Sequence, residues 1–325
     1  MSTNSNPPKL KVAKYWAASC GGCDISLLEI GPNLLELIKI ADVVFWPCAA
    51  DFKYEHVRNY PDGFIDLCFY NGGIRNSEQE EVARLLRQKS KSLIAYGQCA
   101  VDGGIPALAN LKTVKGIYNA SYHDNPSIDN PGGVEPQPVT PSECGDLEIP
   151  KFYPQVLRLK DVVPVDYEIP GCPPQADRVW EAILALAGGQ VPLQNRNVKV
   201  ACYDKAVCDE CKLEKRQVRI KEFKRVHTSI PEPGWCLLEQ GYLCVGPATR
   251  SGCGALCPAA GMPCEGCYGP AGDVTDQGTA MVSAIASMLD ARTEEQAQAM
   301  IAQIADPTGT FYRFTLASSH LKARK

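Results

Sequence analysis

Cysteine constrains this chain more than any other residue. There are 16 cysteines among 325 residues, and twelve of them form three groups of four with the spacing of metal ligands. Thiolate ligands select iron–sulfur clusters, zinc or cuprous copper, and a cubane [4Fe–4S] cluster takes four of them. Three such groups on one chain predict a series of redox centres that conduct electrons.

The remaining composition is that of an ordinary globular protein. Hydrophobic residues make up 45% and charged residues 22%, and a net charge of −4 gives no reason to expect nucleic acid or an anionic membrane as a partner. The first residues, MSTNSNPPKLK, have no apolar signal segment, and no stretch approaches the roughly 18 apolar residues of a membrane span. We therefore expect a cytoplasmic protein, in which clustered cysteines more often bind metal than form disulfides.

Short apolar runs alternate with helical patterns along the first 190 residues. The runs predict strands at residues 10–16, 42–46, 64–70, 92–96 and 163–169. Apolar spacing predicts helices over residues 25–40, 77–88 and 174–187, the second with Ser77 as its N-cap. This alternation predicts an α/β fold, a flavodoxin-like, doubly wound parallel sheet.

The amino-acid composition changes from residue 191. One strand-like run at residues 198–203 precedes a stretch rich in glycine, proline and cysteine, and helices are predicted at 276–290 and 293–304. An earlier segment, 119–150, has the composition of an irregular surface loop. We predict two domains, residues 1–190 and a mostly irregular, cysteine-rich domain of residues 191–325 that its metal centres stabilise.

Four cysteines of the first domain share one structural position. Cys20 and Cys23 follow the first predicted strand, Cys99 follows the fourth and Cys172 the fifth. The carboxyl ends of parallel strands form the binding crevice of an open α/β sheet, so these loops can bring four thiolates together. The alternative is a CxxC redox pair beside two buried structural cysteines.

Eight cysteines lie within sixty residues of the second domain. They are Cys208, Cys211, Cys236, Cys244, Cys253, Cys257, Cys264 and Cys267. Their number and tight pairs fit two more four-thiolate sites. A zinc ribbon remains an alternative, because tetrahedral sites made of four cysteines also hold zinc.

The motifs, taken in order, resemble the small subunit of [NiFe] hydrogenases over about residues 10–275. They are CGGC at residues 20–23, GQCAVDGG at 97–104, PGCPP at 170–174, CLLEQGYLCVGPATRSGC at 236–253 and PCEGC at 263–267. The resemblance implies three clusters, each with its own four ligands. The proximal tetrad would be Cys20, Cys23, Cys99 and Cys172, the medial tetrad Cys253, Cys257, Cys264 and Cys267, and the distal tetrad Cys208, Cys211, Cys236 and Cys244.

Two departures from the periplasmic members of that family bear on the cofactors. Those members have histidine in place of Cys208, and they have a proline near the position of Cys257. Full thiolate sets here imply three [4Fe–4S] clusters. The NiFe site of this family lies on a separate large subunit, so the resemblance implies that this chain carries the electron relay and no catalytic residue.

The resemblance is closest to the cytoplasmic group that includes the methyl-viologen-reducing (coenzyme F420-non-reducing) enzymes, through residues 45–54 and 70–78. Such members pass electrons to a [2Fe–2S] adaptor protein and a heterodisulfide reductase. The alternatives are a deazaflavin-reducing or NAD(P)-linked hydrogenase small subunit and, outside enzymes, a zinc-stabilised binding module. A respiratory complex I subunit is disfavoured, since its motif has adjacent cysteines.

A basic segment separates two cysteines of the distal tetrad. We define it by Lys212, Lys215, Arg216, Arg219, Lys221, Lys224, Arg225 and His227. It is either a solvated face or a docking surface for an acidic electron acceptor. Of the other cysteines, Cys48, Cys68 and Cys202 are expected to be small buried hydrophobes beside strands, and Cys144 an unpaired thiol in the 119–150 loop.

Overall fold

The computed structural model describes residues 8–189 and 197–321. Its strands are β1 Leu10–Trp16, β2 Ala41–Phe45, β3 Ile65–Asn71, β4 Ile74–Asn76, β5 Ser90–Tyr96, β6 Val139–Ser142, β7 Gly145–Glu148, β8 Phe152–Leu157, β9 Tyr167–Ile169, β10 Val198–Lys199, β11 Tyr203–Ala206 and β12 Arg250–Ser251. Its helices are α1 Gly22–Leu28, α2 Asn33–Ile40, α3 Tyr54–Asn59, α4 Ser77–Lys89, α5 Gln98–Asp102, α6 Val114–Tyr118, α7 Ala176–Ala187, α8 Val207–Glu210, α9 Leu256–Ala259, α10 Gln277–Met288, α11 Glu294–Ile301 and α12 Pro307–Phe311.

A six-stranded parallel sheet organises the first part of the chain. Its strand order is β2-β1-β3-β5-β9-β10, and every pair in it is parallel. This is the flavodoxin order with one further strand at the edge, and its direction of winding reverses between β1 and β3. The predicted α/β, doubly wound sheet is confirmed.

Each face of the sheet carries its own layer of helices. On β3, Cys68 and Tyr70 belong to the core that includes Leu86 of α4, whereas Leu67 and Phe69 pack in the core that includes Val179 of α7. Successive side chains of a strand point to opposite faces, so a fully buried strand reads as a continuous apolar run. That property made the central strands recognisable from the sequence.

Several predicted bounds change for local reasons. The predicted helix at 25–40 is interrupted between α1 and α2, where Gly31 has φ +61° and is followed by Pro32. Asn76, rather than the predicted Ser77, caps α4, because its side chain accepts from Gln79 N. The Ser77 hydroxyl accepts instead from Lys151 N at 3.0 Å. The predicted strands at 163–169 and 198–203 shorten to β9 and β10.

The 119–150 segment is largely irregular, as predicted, but it also contains a hairpin. Strands β6 and β7 pair antiparallel, and all their residues are exposed. An exposed hairpin buries no apolar face, so its sequence lacks the hydrophobic alternation that would identify it.

The second part of the chain has an apolar core of its own. This core includes Val207, Leu237, Met281 and Phe311, and α10, α11 and α12 all contribute to it. The predicted boundary between residues 190 and 191 lies outside the described residues. Beyond it, β10 still pairs with β9 and so extends the first sheet. No helix within residues 8–189 and 197–321 has the length and apolarity needed to cross a bilayer.

Candidate metal centres

The proximal tetrad lies at the carboxyl edge of the sheet, near the point where the winding reverses. Cys20 lies between β1 and α1, Cys23 is the second residue of α1, Cys99 is the second residue of α5 after β5, and Cys172 follows β9. Backbone hydrogen bonds join these loops: Gly97 N donates to Ile169 O at 2.8 Å and Gln98 N donates to Gly171 O at 2.8 Å. Parallel strands that end at one edge therefore gather distant cysteines.

The four thiols of the proximal tetrad are close enough to influence one another electrostatically. Burial raises the pKa of Cys99 to about 12 and of Cys172 to about 11, and neighbouring thiols of the same tetrad raise both further. Burial also raises the pKa of Cys23 well above its usual range. Thiols with raised pKa values hold their protons at neutral pH, so the thiolate form requires a cation or cluster that offsets the cost of burying negative charge.

Two glycines leave room around these sulfurs. Gly97 has φ +85°, and a Cβ built there would overlap the Sγ of Cys23. Gly104 has φ +57°, and its Cβ would lie 2.6 Å from the Sγ of Cys99. Close approach of backbone to a ligand is a position that only glycine tolerates. The all-sulfur donor set and these glycines fit a compact group bound to the thiolates.

The distal tetrad surrounds one cavity. All four of its cysteines line this cavity, together with apolar residues that include Val207, Leu237 and Pro258. Gly246 faces it as well, since a Cβ there would lie 3.4 Å from the Sγ of Cys208 and 3.5 Å from that of Cys244. Burial raises the pKa of Cys208 to about 12, with further increases from Cys244, Cys236 and Cys211. The cavity is therefore a sulfur-lined, mostly apolar chamber.

The medial tetrad lies between the other two. Burial raises the pKa of Cys267 to about 12, and the thiols that add to this increase include Cys253, Cys257 and Cys172 of the proximal tetrad. The backbone of Cys172 also lies close enough to the Cys267 thiol to lower its pKa slightly. Toward the other side, Cys264 N donates to Cys244 Sγ at 3.3 Å. The medial tetrad thus has a neighbour in the proximal tetrad on one side and in the distal tetrad on the other.

The described structure does not place the sulfurs around a single ion. Within residues 8–189 and 197–321, no three side chains of His, Cys, Asp or Glu are close enough to share one metal ion. Zinc requires its sulfurs about 2.3 Å from a common centre, whereas an iron–sulfur cluster distributes its thiolates over several irons.

The remaining cysteines divide by environment. Cys68 is fully buried in β3, as predicted, and Cys144 is exposed in the 119–150 segment. The prediction of a buried Cys48 is wrong, because its segment lies at the surface beyond β2 and the residue is exposed. Cys202 is only partly buried.

One feature near the proximal tetrad escaped the sequence analysis. Lys14, within β1, is buried beside Cys23 and pairs with Asp24. The signal was present, because two lysines, Lys11 and Lys14, interrupt an otherwise apolar strand. The sequence alone did not show whether Lys14 faces the interior or the solvent.

The basic segment is largely exposed, but some of its charges have partners. Arg216 pairs with Glu214 at 2.8 Å and with Glu232 at 3.0 Å, and it stacks over the ring of Trp235. Lys215 Nζ donates to Cys208 O at 3.2 Å, at the wall of the distal cavity. The segment therefore borders the distal tetrad in space as well as in sequence.

Comparison with known proteins agrees with the geometry. The family described as NADH ubiquinone oxidoreductase, 20 Kd subunit, matches residues 20–186. The chain is 37% identical to the iron-sulfur subunit of the F420-non-reducing hydrogenase of Archaeoglobus profundus, over 94% of this chain and 96% of that one. It is 39% identical to a vhu subunit of the F420-non-reducing hydrogenase of Methanocaldococcus jannaschii, over 94% and 95% respectively.

A solved structure supports the fold. A [NiFeSe]-hydrogenase chain of Desulfomicrobium baculatum aligns with a TM-score of 0.52 at 17% identity, over 81% of this chain and 95% of that chain. The sequence matches above cover nearly all of both chains, and the cysteine-rich loops occupy one edge of the same kind of sheet. The chain therefore belongs to the family of [NiFe] hydrogenase small subunits, iron–sulfur proteins that transfer electrons as part of an oxidoreductase complex.

Proposed function

We propose that the chain holds three [4Fe–4S] clusters, bound by the proximal, medial and distal tetrads. The observation that carries this proposal is the series of three all-cysteine groups, in which the Cys267 thiol lies beside Cys172 and Cys264 N donates to Cys244 Sγ. When bound, each cluster would supply one-electron redox chemistry at low potential. The two predicted domains, residues 1–190 and 191–325, are part of this proposal, the first with the proximal tetrad.

The protein's own residues prepare these sites. Glycines beside the sulfurs leave space, and the apolar residues of the distal cavity exclude water. Exclusion of water lowers the local dielectric constant, which strengthens every electrostatic interaction within the site. The chain would therefore set the cluster spacing and the surrounding field, while hydrogen is activated on the large subunit.

Metal analysis tests the proposal directly. The chain purified anaerobically with its large subunit should contain about twelve irons in this polypeptide, with an equal amount of acid-labile sulfide, as expected for three four-iron clusters. The iron of the large subunit is counted separately after the subunits are resolved. Two or three zinc ions without sulfide would instead identify a zinc-stabilised binding module.

The names of the relatives support a proposal for the electron acceptor. The two relatives named above as F420-non-reducing hydrogenase subunits each match 94% of this chain. Their names support an electron acceptor other than coenzyme F420. We assign the acceptor as a [2Fe–2S] adaptor that delivers electrons to a heterodisulfide reductase in the cytoplasm, on the resemblance of residues 45–54 and 70–78. A NAD-linked enzyme is the second candidate, since the delta subunit of an NAD-reducing hydrogenase of Cupriavidus necator is 29% identical over 56% of this chain.

Two surfaces suit two protein partners. Exposed apolar side chains surround the proximal tetrad, among them Trp16, Ile25 and Leu28, and these fit the large subunit. Beside the distal tetrad, Leu213 and Pro258 line both the distal cavity and a neighbouring groove that contains the almost fully exposed Ile230. The basic segment borders that groove, so we assign the groove to an acidic electron acceptor.

Charge reversal tests the acceptor surface. Lys212, Lys221 and Arg225 are exposed, and replacing all three with glutamate should slow electron transfer to the acceptor about tenfold or more at low salt, because steering by opposite charge is lost. The difference should shrink as salt rises, since screening weakens it in both proteins. Stopped-flow measurement of acceptor reduction over a salt series provides the rates.

A second triple variant controls for net charge. Lys112, Lys115 and Lys151 are also exposed and belong to the first part of the chain, so their reversal changes the total charge equally. This variant should keep the wild-type rate and salt dependence. Equal rates for the two triple variants would remove the basic segment from the docking surface.

A further inference from the structure

Lys14 is a buried cation in the middle of a central strand. Lys14 is only 1% exposed. Its side chain packs against the rings of Trp46, which follows β2, and Tyr96, the last residue of β5. Lysine is almost never fully buried unless it is paired. A lysine at this position therefore needs partners that stabilise its buried charge.

The ammonium group has three electron-rich neighbours. Lys14 Nζ lies 3.2 Å from Asp24 Oδ1, donates to Cys23 O at 3.4 Å and sits 4.7 Å from the centre of the Tyr96 ring. A protonated lysine carries three N–H donors and no acceptor. The surroundings match that form, with a carboxylate, a carbonyl and an aromatic face as partners.

Asp24 accepts hydrogen bonds from two further side chains. Trp46 Nε1 donates to Oδ1 at 2.9 Å, and Asn71 Nδ2 donates to Oδ2 at 3.0 Å. With Lys14, three donors converge on a residue that directly follows Cys23 in the chain and is 7% exposed. Because Lys14 Nζ and Asp24 Oδ1 are 3.2 Å apart and both side chains are nearly inaccessible, the two residues form a buried ion pair.

Stability alone is a weak reason for such a pair. Replacing a buried ion pair with apolar residues is often neutral or stabilising, because removing both charges from water is costly. The position of the cation points to a role other than stability, because Lys14 Nζ lies next to the backbone of Cys23, a residue of the proximal tetrad. Its field extends to the sulfur, since the charge of Lys14 opposes the increase that burial causes in the pKa of Cys23.

We propose that Lys14 is a positioning residue of the proximal tetrad, whose buried positive charge raises the reduction potential of the cluster bound there. The inference rests on the proposed function, because it requires a cluster on Cys20, Cys23, Cys99 and Cys172. One electron added at the tetrad makes the site more negative, and a fixed cation in a low-dielectric interior stabilises that charge. Asp24 orients the ammonium and offsets part of its field.

Opposite changes of charge give opposite expected shifts. In Lys14→Met the proximal potential should become more negative, because the cation is gone. In Asp24→Asn it should become more positive, because an uncharged amide replaces the carboxylate at nearly the same size. A role that only maintains packing would not produce shifts of opposite sign, and Lys14→Arg, which keeps the charge, should stay close to the wild type.

An EPR-monitored redox titration of the purified complex of this chain with its large subunit measures the potentials. One iron–sulfur signal should shift in each variant, while the other signals keep the wild-type midpoints as internal references. Any pattern other than opposite shifts of one signal in Lys14→Met and Asp24→Asn overturns the inference. If Lys14→Met fails to fold or to load iron, the nearly isosteric Asp24→Asn decides alone, since a positive shift supports the inference and its absence overturns it.

The same experiment separates this inference from the proposed function. Iron, sulfide and EPR signals of the wild-type complex report whether the clusters are present at all. Their absence from the wild type contradicts the proposed function, whereas their presence with unmoved potentials in the variants contradicts only the role of Lys14.

Discussion

Replacing Cys99 with alanine should remove one cluster and interrupt the electron relay at its first position. The iron content of the polypeptide should fall from about twelve to about eight, because a cubane cluster requires four thiolates and the other eight C-terminal ligands remain. Electron transfer from hydrogen to the acceptor should be nearly abolished, whereas hydrogen activation at the large subunit should persist. Iron and sulfide analysis, with hydrogen-dependent acceptor reduction, measures both effects.

Cys68→Ala is the matched control for that variant. Both cysteines are buried, since Cys99 is 6% exposed and Cys68 is 0% exposed. Each substitution removes one buried thiol group. Cys68 lies in the core of the sheet and belongs to none of the three tetrads, so its loss should cost some stability and no iron. A Cys99→Ala protein that keeps twelve irons would falsify the proximal assignment.

Gly97→Ala should have an almost equal effect on the proximal site without touching a ligand. The new methyl group would occupy the space of the Cys23 Sγ, and Gly97 has φ +85° and ψ 159°, a backbone conformation that costs a residue with a side chain about 1–3 kcal/mol. Either α5 shifts or Cys23 moves away, and both changes break the geometry of the tetrad. We expect iron content to fall by about four per chain, as for the loss of one cubane cluster.

Gly145→Ala separates the backbone strain from the steric overlap. Gly145 has φ +109°, and no atom lies within 4 Å of the position of its added Cβ. The substitution should therefore strain the hairpin slightly and leave the iron content unchanged. If both glycine variants lose iron equally, or neither does, the close approach of Gly97 to Cys23 has no role in cluster binding.

Much of the fold could be predicted because its physical signals are local. Most residues of the strands β3 and β5 are buried, and each strand contains an uninterrupted apolar run, residues 67–70 and 93–96; the predicted flavodoxin-like order is confirmed. Helix α7 ends at Ala187, the predicted last residue, and Gly188 follows as its C-cap. Exposed elements such as the β6–β7 hairpin could not be predicted, because they bury no apolar face and leave no periodic pattern.

The candidate sites, like the fold, could be predicted from the sequence only in part. Because strand ends share one edge of a parallel sheet, the positions of Cys20, Cys99 and Cys172 after their strands already predicted that they meet. The grouping of the eight C-terminal cysteines depended on a family resemblance, since their spacing alone allows other pairings. The expected burial of Cys48 was wrong, because a residue just beyond a strand can turn outward into the following loop.

The amino-acid sequence by itself determined the donor chemistry, the winding of the sheet and the family, because each depends on residue type and on order along the chain. Only the tertiary structure decided which tetrads are neighbours, which glycines touch sulfur, and that Lys14 faces inward onto Asp24 rather than outward to water. Those properties depend on distances of a few ångströms between segments far apart in sequence, and such distances exist only after the chain has folded.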